Sequence, residues 1–202
     1  MILQALTEHY KALRRRDLAP GFGWSSRRVS FALQLSPEGE LLGLTPLVNA
    51  VQQGKKMVEL PQTMQVPEPA VRSGVTPVSN FLFDNGSYIL GFDEKGKPGR
   101  SIECFEACKA LHLRLLEGVE NPMAAAIRGY FEKWDPRLAR EHPALSGRLA
   151  EFKSANFIFS LNGDWAQEDE VLRGVWDKAY ALRGEGETAL CPVTGEASLP
   201  LE

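Results

Sequence analysis

Val29-Ser30-Phe31-Ala32-Leu33-Gln34-Leu35-Ser36-Pro37-Glu38-Gly39-Glu40-Leu41-Leu42-Gly43-Leu44 is the stretch whose reading decides the fold. Val29, Phe31, Leu33 and Leu35 alternate with Ser30, Ala32 and Gln34, a period of two that predicts a half-buried strand. Ser36-Pro37-Glu38-Gly39 is turn chemistry, so residues 40–44 are expected to return as the hairpin partner.

Upstream, Ile2, Leu3, Leu6, Tyr10 and Leu13 follow helical spacing and predict an amphipathic helix over 2–16, ending in Arg14-Arg15-Arg16. Cations in a last turn suit the helix dipole. Pro20-Gly21-Phe22-Gly23 ends that helix. Downstream, residues 57–60 read as a short strand. Residues 61–79 carry prolines at 61, 67, 69 and 77 and read as an extended loop. Residues 88–92 read as another strand, closed by the turn Asp93-Glu94-Lys95-Gly96.

From Ser101 the period changes to that of a helix, capped by Ser101 and carrying Ile102, Phe105, Leu111, Leu113, Leu115 and Leu116. Asn121-Pro122 opens a second helix through Ile127, Tyr130, Phe131 and Trp134. Residues 157–161 resemble a strand followed by the tight-turn pair Asn162-Gly163. A last helix over 168–182 would turn Val171, Leu172, Val175, Trp176 and Tyr180 inward. This order predicts an α+β fold: a mixed or antiparallel sheet, several packed helices and irregular Pro/Gly-rich loops. Residues 1–100 form the sheet-rich half and 101–200 a mainly helical half of the same domain; Leu201-Glu202 reads as a vector remnant.

The 202 residues are 44% hydrophobic and 24% charged, ordinary values for a chain with a sizeable core. No apolar run approaches the ~20 residues of a membrane span, and the N-terminus does not read as a signal peptide. Three cysteines, Cys104, Cys108 and Cys191, make no even framework and no zinc pattern, which suits reduced thiols in a cytoplasm. The net charge of −3 hides an asymmetry. Residues 1–100 hold 12 Lys/Arg against 9 Asp/Glu, and residues 101–202 hold 11 against 17, so phosphate contact is expected on the first half.

Catalysis needs a nucleophile with a base, a metal cluster or a poised carboxylate pair, and no such constellation is legible. His9, His112 and His142 are isolated and read as structural or surface residues. Cys104 and Cys108, four apart on one helix, read as core packing. Cys191-Pro192-Val193-Thr194-Gly195 has no second ligand near it to make a zinc knuckle. No cofactor, metal or enzymatic activity is expected. One stretch, residues 72–88, sets Arg72 and Ser73 among glycines, asparagines and hydroxyls beside the proline-rich loop. Such groups suit a DNA groove, although a plain loop with an Asn85-Gly86 turn has the same composition. Gly54-Lys55-Lys56 is a compact basic tip.

At these residues the sequence resembles the large subunit of the type I-C CRISPR Cascade surveillance complex. The resemblance rests on residues 1–10, 29–33, 79–91, 105–112 and 191–196, in that order along the chain. It implies an RNA-guided complex whose large subunit reads the protospacer-adjacent motif on double-stranded DNA, helps to open the duplex and recruits a separate helicase–nuclease. It also implies other Cascade subunits and the guide RNA as partners, and a longer chain with a helical C-terminal region. Under it, Asn80 or Asn85 is expected at base edges, Gly86 to permit close approach, Arg72, Lys55 and Lys56 to steer phosphate, and Ser73 to belong to the same DNA-binding set. The competing expectation is a structural adaptor that docks on neighbouring subunits and the guide-RNA end without reading DNA.

Overall fold

A computed structural model describes residues 2–16, 19–54, 56–72, 74–92 and 98–182, together with the short pairs 189–190 and 197–198. Ser73, Lys55, the turn at 93–96, Cys191, Thr194, Gly195 and residues 201–202 lie outside the described residues. The fold is α+β.

Helix α1 (Ile2–Arg14) is followed by β1 (Trp24–Val29), β2 (Phe31–Leu35), β3 (Leu41–Pro46), β4 (Val48–Gln53) and β5 (Lys56–Pro67). The expected hairpin forms, with β2 antiparallel to β3 from Phe31↔Pro46 to Leu35↔Leu41. These five strands are three long runs that exchange partners. The run 24–35 breaks at Ser30, the run 41–53 breaks at Leu47, and β5 pairs first with β4 and then with β1. The three meet in a relay of backbone hydrogen bonds. Gln62 N–H donates to Leu47 O, Leu47 N–H to Ser30 O, and Ser30 N–H to Asn156 O, each at 2.8–2.9 Å. Buried backbone groups need such partners, and the relay supplies them where the ladders switch.

Two expectations are corrected here. The strand expected at 57–60 runs the full length of β5, and residues 61–67 are strand rather than loop. Pro61 is tolerated because its residue sits in a pair that needs no N–H, and Pro67 because it closes the strand.

β6 (Phe83–Asn85) leads directly into a short helix α2 (Gly86–Ile89), where a strand over 88–92 was expected. Asn85 caps it, its side chain accepting from Ser87 N–H, so a local cap overrides the apolar run that suggested a strand. α3 spans Pro98–Leu115 and begins before Ser101, which is buried inside it rather than capping it. α4 (Pro122–Lys133) begins as expected on Asn121, whose side chain accepts from Ala124 N–H. Then come β7 (Asn156–Leu161), a turn with Asn162 and Gly163 both at positive φ, β8 (Asp164–Trp165) and α5 (Glu170–Leu182). On α5, Leu172 and Trp176 are buried while Val171, expected inward, is 47% exposed. The pairs β9 (Ala189–Leu190) and β10 (Ala197–Ser198) are antiparallel to each other.

The main sheet has the order β3-β2-β7-β6, with β8 on β7. It is mixed, because β7 lies parallel to β2 and antiparallel to β6. Phe31, Leu33, Leu35, Phe157 and Phe159 point to one face and pack with Phe105, Cys108, Ile127, Phe131 and Trp176 of the helices. Ala32, Ile158 and Phe83 point to the other face and meet Val29, Leu47, Met64 and Val66 in a smaller core. The sheet is therefore buried on both faces, and of the even positions in β2 only Gln34 is exposed.

Candidate nucleic-acid interface

Between β5 and β6 the chain must cover the distance from one sheet to the other, and the described residues of this connection, 68–72 and 74–82, carry no regular structure. What shapes this connection is a buried carboxylate. Asp84, 1% exposed, accepts from the backbone N–H groups of Asn80 (2.9 Å) and Asn85 (2.8 Å) and pairs with the guanidinium of Arg72. Arg72 also donates from Nε to Val78 O at 2.7 Å and lies over the Tyr88 ring, 4.0 Å from its centroid. Burial pushes the Asp84 carboxyl above its ordinary pKa, while Arg72 and the two backbone donors pull the other way.

Three further contacts close the brace. Asn80 Oδ1 accepts from Ala70 N–H at 2.9 Å, joining the two ends of the loop. Arg100 of α3 reaches across to the carbonyls of Val75 (2.9 Å) and Gly74 (3.4 Å). Leu82, at φ +58, donates its N–H to Nε2 of the fully buried His112 at 3.0 Å. The loop is thus held on both flanks, and its tip is bare: Val71 is 91% exposed and Val75 83%. Both side chains stand outside the core.

The residues expected to touch DNA therefore separate. Arg72, with 29% of its side chain accessible, and Asn80, 5% exposed, are engaged in the brace itself. Base contact by Asn80 requires the loop to open. Gly86 is buried at the start of α2, and a Cβ there would stand 3.1 Å from Phe92 O, so the close approach it permits is internal. Asn85 is half-buried and lines a polar cleft of about 270 Å³ with Ser87, Ser154 and Asn156, its partner across β6–β7. Lys56 is exposed at the far end of β5, six residues from the junction at Gln62, or about 20 Å along the strand. Asn85 stands on a different strand, β6, in the other sheet.

Sequence reading missed Asp84, Arg100 and His112 as organisers. Asp84 stands in the 72–88 stretch, but nothing in its neighbours signals burial. Arg100 acts on carbonyls 25 residues away, a pairing no local pattern reveals. The other histidines are as different as their settings: His9 is exposed on α1, and His142 rests against Trp134 with ring centroids 5.1 Å apart. Cys104 and Cys108 are buried free thiols. Among the described residues there is no group of three or more His, Cys, Asp or Glu placed to hold a metal, and no helix long and apolar enough to cross a membrane.

An α+β core thus carries an irregular connection between its two sheets, held in place by Asp84, Arg72, Arg100 and His112. The family profile of the CRISPR-associated protein (Cas_Csd1) matches residues 6–201, and the chain belongs to that family. No curated protein matches it.

Proposed function

We propose that the chain is a non-catalytic DNA-recognition module of an RNA-guided CRISPR interference complex of type I-C, working in the cytoplasm. It reads the protospacer-adjacent motif on duplex DNA and assists target opening and recruitment of the helicase–nuclease. Family membership supports the setting. The observation that carries the reading is the loop itself. Arg72 and Arg100 hold it from within, so the exposed Val71, Val75 and Thr76 meet a duplex already in their bound shape. Fixing a loop beforehand removes part of the entropy cost of binding.

Asn85, facing the polar cleft with Asn156 and Ser154, is the side chain placed to donate to base-edge acceptors. Lys56, with Lys55 beside it in sequence, steers the phosphate backbone from a distance. Asn80, Arg72 and Gly86 act by keeping the loop and the start of α2 in place; Ser73 lies between Arg72 and Gly74 in the same loop.

A second reading, a structural adaptor, is favoured by α1. None of its residues is buried, and Ile2, Leu3, Leu6 and Tyr10 expose an apolar face suited to another subunit. Titration of the assembled complex with matched targets carrying the natural or a scrambled adjacent motif separates the two. The DNA-reading account expects Arg100→Ala to reduce discrimination between the two flanks, because the loop tip loses its clamp. Unchanged discrimination in a folded Arg100→Ala complex leaves the adaptor reading.

A further inference from the structure

We propose that the outer edge of β4 is a docking strand, to which another protein of the same complex adds an extended segment as a third strand of the β4–β5 arm. The proposal rests on family membership and the geometry of the arm, and is independent of whether the chain reads DNA.

β4 and the first half of β5 pair from Val48↔Pro61 to Gln53↔Lys56, a hairpin closed by two residues, with Gly54 at φ +63. Beyond the junction at Leu47 the arm leaves the core. Val48, Asn49, Ala50, Val51 and Gln52 are all exposed, so both faces of β4 meet solvent. A two-stranded hairpin standing alone is at best marginally stable, which makes this arm a structure in want of a third element.

The register says which backbone groups are free. Gln62 N–H donates to Leu47 O, so Leu47 and Gln62 form a hydrogen-bonded pair. In an antiparallel ladder such pairs alternate, which makes 49↔60, 51↔58 and 53↔56 hydrogen-bonded as well. The N–H and C=O groups of Val48, Ala50 and Gln52 consequently point away from β5, and β4 pairs with no other strand among the described residues.

Exposed edges are ordinarily guarded by charge or proline. The alternate groups of β5, at Met57, Glu59 and Pro61, carry both guards: a carboxylate, and a residue with no N–H. β4 reads Val48-Asn49-Ala50-Val51-Gln52-Gln53 and has neither. Two edges of one arm are treated oppositely, and the bare one fits strand addition, in which main-chain bonds supply affinity.

Charge and area choose the occupant. A phosphate backbone needs cations along the stem, and there the described stem offers only Lys56 at the turn, offset by Glu59. A second copy pairing edge to edge would bring together two strips about 20 Å by 10 Å, roughly 200 Å² on each copy. That falls far short of the ~1,200 Å² of a stable specific interface. A strand carried by a larger body can run along β4 and also cover Val48 and Met57, which share one face of the arm and are 38% and 66% exposed.

Amide hydrogen exchange on the complex purified through a tag on this chain, compared with the chain alone, tests this. The amides of Val48, Ala50 and Gln52 should exchange at least tenfold more slowly in the complex, with those of Asn49 and Val51 already protected in both. Ala50→Pro removes only an outward N–H; it should leave the free chain folded, reduce recovery of the complex severalfold and abolish the slowing at Val48 and Gln52. Equal exchange at these three amides in both states, or recovery of the chain without partners, overturns the proposal. So does slowing that appears in the chain alone as concentration rises, which assigns the edge to a second copy. Slowing that appears on adding duplex DNA without other protein overturns it in favour of nucleic acid.

Discussion

His112 Nε2 accepts the backbone N–H of Leu82 at 3.0 Å, and the same ring bonds at Nδ1 to the Cys108 carbonyl, one turn back on α3, at 2.8 Å. An N–H on one side and a carbonyl on the other leave one arrangement: a neutral ring protonated at Nδ1. The ring thereby fixes Leu82 at φ +58, a region a bulky residue adopts only when its surroundings enforce it. Helix α3 sets the end of the braced loop through this single contact.

Burial lowers the His112 pKa from 6.5 to about 4. The unfolded chain binds this proton near pH 6.5 and the folded chain near 4, so between those values acid favours unfolding. The contribution is complete above pH 6.5 and is lost as the pH falls to 4, on the order of 3 kcal/mol in all. Urea unfolding of the chain at pH 7 and pH 4.5, against a folded His112→Gln variant, measures it. The wild-type chain should lose more stability on acidification than the variant; parallel losses would show that His112 stays charged or solvated in the fold.

The brace at Asp84 has a cost when halved. Asp84→Ala leaves the Arg72 guanidinium and the N–H groups of Asn80 and Asn85 without their acceptor, and should destabilise the chain by about 3 kcal/mol. Limited proteolysis should then cut within residues 71–78 faster than in the wild-type chain. A loss below ~0.5 kcal/mol with an intact loop would mean that Arg100 and His112 suffice.

Gly39 and Gly129 mark a place where backbone meets backbone. A Cβ on Gly39 would stand 2.3 Å from Tyr130 N and 2.4 Å from Gly129 C, at a φ of +85. Gly39→Ala should therefore cost at least about 3 kcal/mol by clash and backbone strain together. Gly163, at φ +94 but with nothing within 4 Å of its Cβ position, should lose only about 1–2 kcal/mol on the same change. Equal thermal shifts for the two variants would contradict the close approach of the β2–β3 turn to α4.

The legible parts of this fold were those whose cause is local. The alternation 31–35, the turn at 36–39, Asn121 before Pro122 and the Asn162-Gly163 turn each carry their own instruction, and each formed where expected. The errors arose where a distant partner decides. Residues 62–67 are held in strand by β1, some forty residues upstream, and Pro61 by Val48 of β4, against the prolines that suggested a loop. Residues 86–89 are the exception: the cause is local, the Asn85 cap, and it overrides the apolar run that suggested a strand. In the candidate site, the 72–88 stretch was visible by composition. Which of its residues face inward was not, because burial of Asp84 follows from the packing of β6 on β7 and not from its neighbours.

The proposed function sets the tip at Val71 and Val75 against duplex DNA. A photo-crosslinking amino acid placed at Val75, in the assembled complex bound to a matched target, tests it most directly. Crosslinks should form to the DNA duplex beside the guide-paired stretch and be lost when the adjacent motif is scrambled. Crosslinks to other protein subunits alone, in a complex that still binds its target, would contradict it.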